Sequence, residues 1–198
     1  MTEGKEPIMG GNTQSIAAVI IKAGIEMLLE TLDELLGKRT EREVAAAIRD
    51  TVCEDGAVQG AYDLILHSYG PERLLGSVHV EVADTMTAEE IDRMERRIAQ
   101  NVFAKHGVIL TGIGIYSVNT TNDGIRAMRT EITRLVMAHE GVLQMHGFYV
   151  DLEHKRVSFD IILDFALDDR AALFREIQEQ VQAAYPDYEL QMTMDIDI

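Results

Sequence analysis

The side chains in this sequence best suited to chemistry are its six histidines and the carboxylates that lie near them. Two of them, His67 and His79, stand on the arms of "YDLILHSYGPERLLGSVHVEV", Tyr62 to Val82, where two alternating runs flank a Gly-Pro turn. His67 falls at the turn and His79 in mid-strand. A protein-held cation needs three or four nitrogen, oxygen or sulfur donors converging from fixed elements. His79, the nearby Glu81 and Asp92 on the following helix form an incomplete set, which a second chain or a second repeat must finish. Taken alone, His79 reads first as a structural strand histidine and second as a ligand. His146, in "QMHGF", opens a strand and stands open between the same two readings.

The other histidines have plainer roles. His106 in "AKHG" and His139 in "AHEG" occupy the last turns of two helices, where a cation complements the helix dipole. His154 in "LEHKR" is a solvated turn residue. No Gly-x-Ser-x-Gly elbow, Walker loop or Cys-x-x-Cys pair is present, and "GIGIYSV" is too short to cradle a phosphate. The carboxylates of "TAEEID" sit in a first helical turn, where they favour the dipole. No nucleophile-and-base set emerges, so an enzyme is not expected. Cys53 is the only cysteine; it excludes an intrachain disulfide, suits a reducing compartment and reads as a small buried apolar residue.

At 198 residues the chain holds one large domain or two small ones. Its 46% hydrophobic and 26% charged content is that of a soluble globular protein. With 34 acidic against 18 basic residues the net charge is −16, which repels phosphate backbones and attracts divalent cations nonspecifically. Nucleic acid is therefore not an expected partner.

The elements that must position these residues follow from periodicity. Residues 1–15 are polar and Gly-rich and read as a flexible lead-in. Residues 16–39, "IAAVIIKAGIEMLLETLDELLGKR", have apolar residues at helical spacing, with Lys22, Glu26 and Glu30 on one face and a stop at Gly37. Charges near the middle disfavour an isolated membrane span. The segment is either the inner end of a span facing a helix bundle or an amphipathic dimerising helix. Residues 40–119 read helix, strand, strand, helix, strand, and residues 123–198 repeat that order. The fold class is α+β: two tandem ferredoxin-like α-β-β-α-β domains preceded by an N-terminal helix. In "SVHVEV" the valines alternate with Ser77, His79 and Glu81, so each sheet has a polar face that its own helices leave open to water or a partner.

"AYDLILHSYGPERLLGSVHVEV" followed by "TAEEIDRMERRI" resembles the cytoplasmic C-terminal domain of cation diffusion facilitator transporters, which exchange divalent metal ions for protons. "KAGIEMLLETLDELLGKR" resembles the end of that family's sixth membrane helix and the link into the domain. The likeness runs from about Ile16 to Val118, and Asp123 to Ile198 resembles a second, divergent copy. The resemblance implies a V-shaped homodimer at the cytoplasmic face of a membrane, with zinc, manganese or iron bound at the interface. By position, the family's ligands fall on Tyr62, His79 and Asp92, and its closing pair falls on Thr111 and Ile113, which do not suit a metal. In the second copy they fall on His146, Asp160 and Asp195. His67 completes the candidate set.

The expectation is thus a dimerising, divalent-metal-responsive regulatory domain joined to the membrane portion of a cation efflux transporter, not competent for transport alone. Two alternatives stand beside it: a module sensing a small organic ligand at the repeat interface, and a purely structural dimerisation unit.

Overall fold

The computed structural model describes residues 11–35, 42–70 and 73–195. The chain divides into two units at Arg39 and Thr40. In the first, α1 runs Gly11–Leu35, so the helix begins within the segment expected to be a flexible lead-in. Every side chain described on it, from Ile16 to Leu29, is exposed, and Lys22 pairs with Glu26 at 3.5 Å. No described helix is long and apolar enough to cross a membrane. The stop expected at Gly37 and the helix start expected at Thr40 lie outside the described residues.

The second unit holds both repeats. The first is α2 (Arg42–Cys53), β1 (Gly60–Ser68), β2 (Leu74–Ala83), α3 (Ala88–His106) and β3 (Val108–Val118). The second is α4 (Asp123–Met137), β4 (Val142–Asp151), β5 (Arg156–Leu163), α5 (Arg170–Ala184) and β6 (Glu189–Asp195). Each forms a three-stranded sheet, ordered β1-β2-β3 and β4-β5-β6, with an antiparallel first pair and a parallel second pair. The architecture is α+β, two ferredoxin-like α-β-β-α-β units in tandem.

Alternation along the middle strands builds each core. Val78, Val80 and Val82 point under α2 and α3, against Ile48, Val52, Met94, Ile98 and Val102, all fully or nearly fully buried. Val157, Phe159 and Ile161 do the same in the second repeat, against Ile132, Val136, Ile177 and Val181. Each such side chain contributes about 1.5–3 kcal/mol by leaving water. Thr87 caps α3: its hydroxyl accepts from the Glu90 amide while the Glu90 carboxylate accepts from the Thr87 amide at 2.8 Å. The acidic "TAEEID" turn therefore starts a helix. Gly107 closes α3 in a left-handed conformation (φ 68°).

The strand registers make the repeats internally equivalent. Tyr62 lies opposite His79, then the pairing slips so that Ile65 lies opposite Ser77. His146 lies opposite Asp160, and the same slip puts Tyr149 opposite Ser158. The extra residue is left-handed in both bulges, Asp63 at φ 53° and Gly147 at φ 64°. Glu81 pairs with Tyr116 on the parallel strand, and its counterpart Ile162 with Asp195. Tyr62, Asp63, His79 and Tyr116 thus correspond to His146, Gly147, Asp160 and Asp195.

The polar face of each sheet meets the other repeat of the same chain. Tyr62 stacks on its counterpart His146, with ring centroids 5.0 Å apart and planes 7° from parallel. Glu81, only 3% exposed, is held by Arg129 of α4 at 2.9 Å to both carboxylate oxygens. The connection between repeats is itself tied down. Asn119 and Thr120 donate to Asp84, and Asn122 caps α4 by accepting from the amides of Gly124 and Ile125.

Removing Arg129 leaves a carboxylate buried without its counter-charge, the costly half of an ion pair. Arg129→Ala is expected to lower unfolding free energy by about 3 kcal/mol, measured by urea denaturation. A Glu81→Gln/Arg129→Gln pair, which removes both charges, should recover part of that loss.

Candidate metal centre

Where the two sheets face each other, every one of the six strands supplies one polar side chain: Asp63, His79, Tyr116, His146, Asp160 and Asp195. Asp63 belongs to this face only because of the bulge. Simple alternation after Tyr62 turns residue 63 toward the helices, and the left-handed backbone at Asp63 returns its carboxylate to the polar side.

Asp63, His146 and Asp195 bring ligand atoms within 4.8 Å of one another. His146 Nε2 is 2.9 Å from Asp63 Oδ1 and 3.4 Å from Asp195 Oδ2. Donors around an ion with bonds of about 2.1 Å lie roughly 3.0 Å apart in octahedral and 3.4 Å apart in tetrahedral geometry. The observed separations cover both. The His146 side chain is completely buried, yet neither ring nitrogen has a hydrogen bond, and neither does Asp63 Oδ1. The 2.9 Å approach has charge contact without hydrogen-bond alignment. Buried polar atoms left in this state are rare and mark a place where something else completes their coordination.

The other oxygen of Asp63 faces the first repeat. Tyr116 Oη donates to Oδ2 at 2.7 Å, and His79 Nδ1 lies 2.9 Å from the same atom. Tyr116 Oη is also 3.5 Å from Asp160 Oδ2. The His79 ring stacks on Tyr116 with centroids 4.7 Å apart. It can do so because Gly114, opposite His79 on β3, has no side chain; a Cβ there would sit 1.9 Å from His79 Cδ2.

Several charges in little water shift one another. Burial acts to raise the Asp63 carboxyl, but contacts with His146, Asp195 and Tyr116 outweigh it and hold Asp63 well below the usual carboxylate range. Burial acts against charging His146, and the Asp63 contact together with the Asp160 and Asp195 charges overcomes it, raising His146 above its ordinary value. Burial, then the Asp63 hydrogen bond and the surrounding carboxylates, push the Tyr116 phenol strongly upward, so it keeps its proton. Two carboxylates and one imidazole, with no thiolate, suit a borderline or oxygen-favouring divalent ion such as zinc, manganese or iron.

Of the residues singled out in the sequence, His79, His146, Asp160 and Asp195 lie here. His67 does not: it is exposed at the far end of β1, against the hairpin turn. Asp92 does not either, being an exposed residue of α3 committed to Arg96 at 2.9 and 3.0 Å. Thr111 Oγ1 donates to the Gly76 carbonyl, and Ile113 lies against the first core. His106 bonds Thr51 Oγ1 at 2.8 Å, His139 Nδ1 meets the carbonyls of Leu135 and Val136, and His154 bonds Asp151. Cys53 is exposed, contrary to the buried role expected of it, and desolvation and Asp50 raise its thiol away from the reactive range. Asp63 and Tyr116 went unnoticed in the sequence. The one signal for Asp63 was an acid interrupting the alternation of "AYDLIL".

No known protein family and no curated protein matches the chain. Solved structures similar to it include the metal-bound C-terminal domain of the CzcD transporter from Thermotoga maritima, at 14% identity and a TM-score of 0.38, covering 43% of this chain and 100% of that one. They also include the MamM C-terminal domain in a copper form, at 14% identity and a TM-score of 0.34, covering 41% of this chain and 99% of that one. A cadmium form of the MamM domain gives 14% identity, a TM-score of 0.35 and the same coverages.

The paired shifts set a pH dependence for the metal-free protein. His146 is raised on folding, so its stabilisation is full below the unfolded value of about 6.5 and is lost as pH rises through the folded value. Asp63 is lowered, so its stabilisation holds above about 3.9 and fades only in acid. In chelator, the urea midpoint should fall between about pH 6 and about pH 9, and His146→Gln should flatten that slope. Separately, Gly114→Ala should drive the His79 ring off Tyr116, read as loss of the histidine's ring-current shift in proton NMR while the fold persists.

Proposed function

We propose that residues 40–198 form a divalent-cation-responsive regulatory domain of a cation efflux transporter, in which one ion fastens the two repeats of a single chain together. The observation that carries this reading is the convergence of Asp63 from the first repeat with Asp195 and the buried His146, whose ring nitrogens lack hydrogen bonds, from the second. The sequence resemblance supplies the transporter context and, with it, a place at the cytoplasmic face of a membrane. Pairing of two chains, which the same resemblance implies, falls on this reading to surfaces other than the facing sheets.

The mechanism is linkage. An ion that binds the seated arrangement of the repeats and not the separated one stabilises it by RT ln(1 + [M]/Kd), about 2.7 kcal/mol at a hundredfold excess over Kd. Without the ion, the net negative charge held by Asp63, Asp160 and Asp195 repels itself within the centre, relieved only in part by the hydrogen bonds onto Asp63 and by the histidine. With it, the repulsion becomes attraction.

Calorimetric titration with Zn²⁺ and with Mn²⁺ should give saturable binding whose affinity does not change with protein concentration. Asp63→Ala and His146→Ala should each weaken it about 100-fold or more. Absence of binding by the wild type, or full binding by both variants, would overturn the proposal.

A second reading has one observation in its favour. A cavity of about 250 Å³ opens at the junction of the repeats, lined by Ser117, Asn119, Arg126, Arg129 and Tyr149 among others, and it suits a small organic ligand. Melting temperatures that rise with small organic acids and not with metal ions would favour it.

A further inference from the structure

The cavity of about 250 Å³ at the junction of the repeats has a lining with one chemical bias. Ser117 comes to it from β3 of the first repeat, and Arg126, Arg129 and Tyr149 from α4 and β4 of the second. All four carry hydrogen-bond donors. Among the described residues, the Ser117 and Tyr149 hydroxyls have no hydrogen-bond partner. The one carboxylate in the lining, Asp84, is already engaged by Asn119 and Thr120. In a chain of net charge −16, a cavity with two guanidiniums and two unused hydroxyls runs against the general field.

Arg129 locates the unused donors. Arg96, Arg97 and Arg156 each meet their carboxylate with Nε and Nη2 together, the forked geometry of an arginine committed to one partner. Arg129 instead meets both oxygens of Glu81 through Nη2 alone, at 2.9 Å, so its Nε and Nη1 have no hydrogen-bond partner among the described residues. Arg126, on the same helix, is held by Asp123 in an exposed pair of the kind that contributes little and yields readily. Ile125, Phe148 and Val150 supply an apolar wall beside these donors.

We propose that this cavity binds a small organic acid: the spare N–H groups of Arg129 and Arg126 and the hydroxyls of Ser117 and Tyr149 take its carboxylate, and a short apolar body lies on the apolar wall. The volume is below the roughly 300–1,000 Å³ of sites for drug-sized ligands, which keeps that body small. Inorganic phosphate shares the anionic end but leaves the apolar wall in water, so an organic acid fits better. Because the donors come from both repeats, the bound acid bridges them through residues that the cation centre does not use. The inference rests on the second reading above, that the cavity takes a small ligand, and does not depend on the metal.

The test is titration of the full chain with benzoate, benzamide and inorganic phosphate, followed by backbone amide shifts in NMR. Benzoate should bind saturably and move the amides of Ser117, Arg126, Arg129 and Tyr149. Benzamide keeps the shape and loses the charge, phosphate keeps the charge and loses the apolar body, and each should bind at least tenfold more weakly. Arg126→Gln should weaken benzoate about tenfold. Arg129→Lys, which keeps a cation on Glu81 but removes the spare guanidinium N–H groups, should do the same. No saturable benzoate shift at these amides would overturn the inference together with the cavity reading beneath it. Benzamide or phosphate binding as tightly as benzoate, or benzoate binding unchanged in both folded variants, would overturn the carboxylate assignment alone.

Discussion

A three-stranded sheet with helices on one side has a second face to dispose of, and this constraint organises residues 40–198. Helices α2 and α3 cover the valine side of β2, and α4 and α5 cover the corresponding side of β5. The faces left over carry histidine, aspartate, glutamate and tyrosine, groups that cost free energy when buried without partners. Each repeat supplies the partners for the other. Arg129 neutralises Glu81, Tyr62 stacks on His146, and Tyr116 reaches Asp63 and Asp160. At the middle of the contact the compensation is incomplete, and the incompleteness is confined to a few atoms of Asp63, His79 and His146. A polar interface that is satisfied at its edges and deficient at its centre has the layout of a binding site.

Rigid elements hold that centre. All six contributing residues stand on strands, whose positions are fixed by the ladders and by the cores beneath them, so the donors keep their separations without a loop to order. Local backbone chemistry then aims the side chains. The bulge at Asp63 turns its side chain to the polar face and shifts the pairing beyond it by one residue. The missing side chain at Gly114 lets an imidazole lie flat across a neighbouring strand.

Much of the fold was legible because it depends on periodicity. Valines at 78, 80 and 82 fix the inner face of β2, and the acidic "TAEEID" turn and Gly107 mark the ends of α3. The open polar face was legible for the same reason, but its occupant was not, since alternation says that a face is polar and not what covers it. His79 and His146 could be singled out by residue type and place, whereas Asp160 and Asp195 came only from the positions that the family resemblance implies. Asp63 could not, because its orientation depends on a bulge, and a bulge shifts the count by one. His67 and Asp92 had suitable chemistry in the wrong places: one at a hairpin tip, the other claimed by an arginine one helical turn away. Cys53 misled because burial was inferred from residue type alone.

The left-handed residue at the two bulges carries a consequence for how such a protein can change. Two identical subunits related by a twofold axis must repeat every substitution on both sides, so an aspartate on one flank brings an aspartate on the other. Here the flanks are encoded separately, with a glycine at position 147 and an aspartate at position 63. Duplication within a chain relaxes the symmetry that assembly from copies imposes. Affinity, number of ions and choice of ion can then drift independently in each half, while the backbone geometry common to both stays fixed.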